Sequence, residues 1–371
     1  MKKTLYITSL ILIVFLMWSC SPKEDNNTNP TTQPEVTPTV APTIIEEEDM
    51  DDTDNEEGEM EQYYVYTANE DDATVSVIDM KTMKTITNIP VGQSPHNVQV
   101  TPDGKYVYVV EGMSKTVSAI DIETNEVTNT ISVGVGPSHI IFSPDSKLAY
   151  VSVAEMVESE DEETDDMERM KEVGNIYVIN LETNNIDAKI PVGYMPHGLR
   201  MTPDNKYIIV ANNDSENVSI IDVSTNSVKK TIEVGKKPVQ VAPTTDGKYV
   251  FVSLSEDNSV AVIDMSTMEV IKTIPVGQTP IQLYATPDSK FVYVANTGTN
   301  NIGVIDTKTL SVINYMNAEE EAHGIAISKD GSNVFVTNSG ADSVTVVDTA
   351  TNKIIGTVAV GKGPHGITVV E

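Results

Sequence analysis

The chain contains five histidines, His96, His139, His197, His323 and His365, and all five fall at one place in a repeated segment. Four follow directly on a recurring anchor position held by Pro95, Pro196, Ala322 and Pro364, while His139 comes two residues after Pro137. Imidazole ligates transition metals and changes charge near neutral pH. If the copies gather these rings together, His96, His197, His323 and His365 are candidate ligands of a divalent metal. Met113, Met156, Met167, Met170 and Met195 lie nearby in sequence, and thioether with imidazole suits copper. A structural reading competes: duplication copies a Pro-His-Gly turn, and each ring hydrogen-bonds its neighbour's backbone. Packed sheets lie about 10 Å apart, whereas two ligands of one ion must each come within about 2.0–2.1 Å of it. Spacing alone leaves both readings open.

The anchor recurs at Pro95, Pro137, Pro196, Pro238, Pro280, Ala322 and Pro364, in steps of 42, 59, 42, 42, 42 and 42 residues. Asp79, Asp121, Asn180, Asp222, Asp264, Asp306 and Asp348 give the same steps. A period of this length with strand signals in each copy predicts an all-β propeller, because one small sheet cannot bury itself and must pack on its neighbours. In the copy after Pro196, strands are predicted over Leu199–Thr202, Tyr207–Val210, Val218–Asp222 and Val228–Val234. A Pro-Asp turn at Pro203-Asp204 joins the first two strands. The second strands are runs of aromatic and β-branched residues, as suits strands covered on both faces.

The repeat region begins at Tyr63–Tyr66, a second strand with no first strand before it, and finishes at Pro364–Val370, a first strand with nothing after it. The expected fold is therefore seven four-stranded antiparallel blades, with the C-terminal strand joining the N-terminal blade so that no sheet edge stays open. In a closed ring the five histidine blades are contiguous, and their imidazoles form an arc where the central channel opens. The loops between second and third strands share that face. They carry Glu70-Asp71-Asp72, Asp214, Glu216, Glu256-Asp257, Asp342 and an acidic insertion over 155–172.

Phe335-Val336-Thr337-Asn338, Tyr293-Val294-Ala295-Asn296 and Ile209-Val210-Ala211-Asn212, with Pro-His-Gly at Pro196 and Pro364, resemble the YVTN-type surface-layer β-propeller repeat over roughly residues 63–371. The resemblance implies the fold and leaves activity open, since this architecture hosts binding modules, lactonases and redox proteins. Two departures stand out: Ala242-Pro243-Thr244 in place of the usual Pro-Asp turn of blade 5, and Ala322 in place of the blade 7 anchor proline.

Residues 1–20 read as a signal segment, with Lys2-Lys3 before the apolar run Leu5–Leu16 and the chain's one cysteine, Cys20, at the expected cleavage point. This resembles a bacterial lipoprotein, which implies lipidation of Cys20, an extracytoplasmic location anchored to the cell membrane or outer membrane, and exposure at the surface. Residues 21–62 carry fourteen carboxylates and almost no bulky apolar residue, so they read as a disordered acidic, proline-rich tether.

The formal net charge is -31, and the chain has two arginines, Arg169 and Arg200. So acidic a chain repels phosphate backbones, which excludes nucleic acid as a partner. No Gly-x-Ser-x-Gly elbow, His-Glu-x-x-His helix or phosphate-binding Gly-rich loop occurs in the sequence. The expectation is a monomeric, non-catalytic binding or scaffold module that docks an envelope or extracellular protein or peptide on its histidine face. The alternatives are a metal-binding protein, copper or another divalent ion being the cofactor, and a lactonase-like propeller enzyme.

Overall fold

The computed structural model describes residues 63–155 and 173–371. The expected signal segment with Cys20, the tether over 21–62 and the acidic insertion beyond Glu155 lie outside the described residues. Among these residues twenty-eight strands, β1 to β28 in chain order, form seven antiparallel four-stranded sheets. Six sheets are built from consecutive strands. Their innermost strands are β4 (Pro95–Val100), β8 (Pro137–Phe142), β12 (Pro196–Met201), β16 (Pro238–Pro243), β20 (Pro280–Ala285) and β24 (Ala322–Ile327).

The remaining sheet joins the two ends of the ring. The last strand, β28 (Pro364–Val370), pairs antiparallel with β1 (Tyr64–Asn69), and β2 (Thr74–Asp79) and β3 (Lys84–Pro90) follow outward. Register runs from Tyr64 opposite Val370 to Thr67 opposite Ile367, then shifts before Asn69 meets Pro364. The sequence expectation of a closed ring is met, with strand bounds within three residues of those predicted.

Burial follows position within the blade. Second and third strands are buried on both faces, as in β1 and β2, while fourth strands such as β3 alternate between solvent and core. The apolar core consists of layers between blades. Phe251, Val260 and Val262 of one sheet meet Leu283, Val292 and Ile305 of the next, for example. The Thr-Pro-Asp turns are locked by side chains: Thr202 Oγ1 donates to Asp204 Oδ1 at 2.7 Å and accepts the Tyr207 N–H at 3.1 Å. Blade 5 lacks the proline of this turn and still builds it, because Thr244 and Asp246 keep the same spacing and bond at 2.5 Å.

Candidate functional site

All five histidines lie at the starts of innermost strands, and their rings form one connected cluster. His96 is its hub, with ring centroids 5.5, 5.4, 6.4 and 5.1 Å from those of His139, His197, His323 and His365. His139 and His197 are 4.5 Å apart, and His323 stacks on His365 at 4.2 Å. The 10 Å spacing of packed sheets does not hold here, because the blades converge on the axis and a glycine follows three of the histidines. A Cβ on Gly324 would lie 2.0 Å from the His365 carbonyl oxygen, and one on Gly366 would lie 2.8 Å from that of His96. Neighbouring inner strands therefore meet backbone to backbone, and the preceding imidazoles come within reach of one another.

Hydroxyls on second strands fix two of these backbones. Ser152 Oγ donates to the His197 carbonyl at 2.7 Å, and Thr337 Oγ1 donates to that of His365 at 2.8 Å, each reaching from one blade into the next. The cluster opens into a cavity of about 610 Å³ lined by Glu70, His96, His197 and His323, with Val239 and Ile281 on the side where blades 5 and 6 lack histidine. Met195 lines it too, whereas Met113 is 76% exposed; Met156, Met167 and Met170 lie outside the described residues. A larger groove, about 710 Å³, lies among the turns of blades 4 and 5. Its carboxylates are bonded locally, Asp204 to Lys206 at 2.9 Å and Asp264 to Ser266 Oγ at 2.6 Å.

Two donor sets share His96. The first joins Glu70, from the loop after β1, to His96 and His365. Glu70 Oε2 lies 2.9 Å from His365 Nδ1 and 3.7 Å from His96 Nδ1, and the two nitrogens are 3.3 Å apart. Ser94 Oγ donates to the other carboxylate oxygen of Glu70 at 2.5 Å. A point equidistant from three atoms so separated lies about 1.9 Å from each, and a small lift out of their plane gives the roughly 2.0–2.1 Å of a zinc–nitrogen bond. The second set is His96, His139 and His197, whose ligand atoms lie within 4.8 Å of one another. Here His96 Nε2 faces His197 Nε2 at 3.4 Å.

The tautomer of His197 follows from its other nitrogen, since Nδ1 is 3.1 Å from the Val239 carbonyl, which can only accept. Nε2 is then left with its lone pair toward His96, the arrangement in which metal-binding imidazoles are commonly held. His139 is fully buried; its Nδ1 lies 3.0 Å from Ser138 Oγ, and its Nε2 has no hydrogen-bond partner. Nδ1 of His323 is likewise buried without a partner. Leaving such a nitrogen unpaired in the interior is costly.

Burial, reinforced by neighbouring imidazoles, pushes His139 and His323 well below the ordinary histidine range and His197 down to about 3. Glu70 is held well below the usual carboxylate range, chiefly by its hydrogen bond with His365 and then by that with His96. Of these groups His139 and His197 belong to the second donor set and the Glu70 carboxylate to the first, so each set holds a donor that need lose no proton to receive a cation.

Of the sequence candidates, His96, His197 and His365 fall in the two donor sets. His323 lies beside them against His365, and His139, set apart in sequence by one residue, is drawn in. Sequence reasoning placed Glu70 on this face but did not single it out. Among the five rings, His197 alone bonds a neighbouring blade's backbone, so the structural account of the repeated turn covers one ring of the five.

The model of the YNCE-like β-propeller family matches residues 59–371. Among solved structures, the chain is similar to Kuenenia stuttgartiensis hydrazine synthase, with 22% identity and a TM-score of 0.67 over 77% of this chain and 92% of that one. It is also similar to a functionally unknown protein from Desulfotomaculum acetoxidans DSM 771, with 16% identity and a TM-score of 0.70 over 83% and 99% of the two chains. At these identities the likeness concerns the fold. No curated protein matches the chain.

Proposed function

This chain belongs to the YNCE-like β-propeller family, and on that scaffold we propose that it is a binding module whose ligand at the channel mouth is a transition-metal ion. The supporting observation is the triangle of Glu70 Oε2, His96 Nδ1 and His365 Nδ1. Its sides of 2.9, 3.7 and 3.3 Å average the separation of about 3.3 Å expected between tetrahedral donors near 2.0–2.1 Å from one ion. The three side chains are each between one fifth and one third exposed, so an ion reaches them from solvent. Imidazole with carboxylate suits zinc and copper, and the thioether of Met195 in the same cavity tilts the choice toward copper.

Titration calorimetry with zinc(II) and copper(II) tests this reading. The protein should bind with a defined stoichiometry, and Glu70→Gln and His365→Gln should each weaken binding by at least the roughly 10–100-fold that loss of an outer partner costs. Equal heats from the protein and both variants would refute it. In the same reading the propeller is an extracytoplasmic lipoprotein of the YVTN type, held to the envelope through Cys20 and residues 21–62, with a protein or peptide partner on the same face. Support for these features comes from the sequence, and a Cys20→Ser chain that still partitions into the membrane fraction would end the anchoring part.

A further inference from the structure

We infer that the mouth of the channel is a dinuclear site in which His96 joins two metal ions through opposite nitrogens of one ring. This rests on the metal-binding reading above and extends it. His96 Nδ1 faces His365 Nδ1 and Glu70 Oε2, at 3.3 and 3.7 Å. His96 Nε2 faces the other way, 3.4 Å from His197 Nε2, with His139 completing the set. No other side chain belongs to both sets, and an imidazole whose two nitrogens both meet donor groups is placed to bridge.

The two positions differ in environment. Glu70 and His96 line the cavity, His365 beside them is 22% exposed, and Glu70 brings a carboxylate, so the outer ion binds first. The inner position relies on His139, fully buried with Nε2 unpartnered, and on His197, whose Nδ1 proton is directed to Val239. The rings there must close by on the order of an ångström to reach bonding distance.

Arg200 opposes the inner ion. It is three residues along β12 from His197, its guanidinium lies 5.3 Å from the Tyr284 ring and donates to the Leu199 carbonyl at 3.3 Å, and among the described residues it makes no ion pair. The bridge answers part of that repulsion. For both nitrogens of His96 to bond an ion, the ring must give up its N–H proton to solvent as the second ion binds, and the resulting imidazolate adds a negative charge between the ions.

The test is copper(II) titration of the full chain, followed by calorimetry and by integrated electron paramagnetic resonance intensity. Two equivalents should bind per chain, the signal should grow through the first equivalent and fall through the second as the bridged spins couple, and the second step should release a proton, read from its dependence on buffer ionisation heat. Glu70→Gln, a substitution at the exposed rim, should remove one equivalent and the coupling while keeping the inner ion. Two equivalents with full spin intensity would overturn the bridge. One equivalent, lost in Glu70→Gln, would overturn it too while leaving the metal-binding reading intact, and no uptake at all would overturn both.

Discussion

Removing Ile367–Glu371 is expected to cost at least about 5 kcal/mol of folding free energy, which for a domain whose whole stability is about 5–15 kcal/mol leaves the ring open or unfolded. The strand β28 is the inner edge of the blade that begins with β1, and its loss strips the hydrogen-bonded ladder from Tyr64 to Thr67. Ile367 and Val370 are 6% and 8% exposed, and burying each such side chain contributes about 1.5–3 kcal/mol. The cut also uncovers an edge on β1 and the flanks of β24 and β4, which exposes apolar surface from the clusters around Phe335 and Val107. Thermal and denaturant unfolding of the truncated chain measure the effect. If the truncated chain does not fold, Ile367→Ala alone should still show a loss of about 2–5 kcal/mol. Cooperative melting of the truncated chain at the full-length temperature would contradict closure by this strand.

Acid should destabilise the ring well before ordinary carboxylates titrate. An unfolded histidine takes up a proton near pH 6.5, while burial holds folded His139 and His323 neutral far below that value and His197 down to about 3. Below pH 6.5 the unfolded chain therefore binds more protons, so the contribution is fully present above that pH and is lost as pH falls toward the folded values. His197 alone should remove about 2 kcal/mol between pH 7 and pH 5, at about 1.4 kcal/mol per pH unit below 6.5. Glu70 acts in the same direction lower down, since a depressed carboxylate stabilises above its unfolded value and ceases to as it is protonated. Denaturant unfolding from pH 7 to pH 4, without added metal, should show falling stability, with a shallower slope in His197→Gln. A flat profile from pH 7 to pH 5 would contradict the burial of these rings.

The ring itself was legible because its signals are local and repeated. Two independent spacings fixed the blade count, and the unmatched strands at Tyr63 and Pro364 specified how the circle closes. The histidine face was legible for the same reason, since equal positions in equal repeats must share one side of the ring. The contacts within that face were not. Sheet spacing suggested that neighbouring rings stay apart, and only the backbone shows that Gly324 and Gly366 let adjacent inner strands meet. His139 belongs to the histidine face but not to the candidate metal ligands of the sequence, and in the structure Ser138 is its hydrogen-bond partner and its Nε2 is unpartnered within the cluster. Glu70 was hidden by abundance: most loops of this face carry acids, and only the closure of β28 onto β1 brings that one against His365. Arg200 was noted for its rarity, yet its place in β12 and its contact with Tyr284 follow from strand register and neighbouring blades.

The most direct test of the central claim is a crystal of the protein grown with copper and measured at the copper absorption edge. The account predicts an anomalous peak at the channel mouth, about 2.0–2.1 Å from Glu70 Oε2, His96 Nδ1 and His365 Nδ1. A map with its strongest peak elsewhere, or with none while the three side chains keep the positions described, would contradict it.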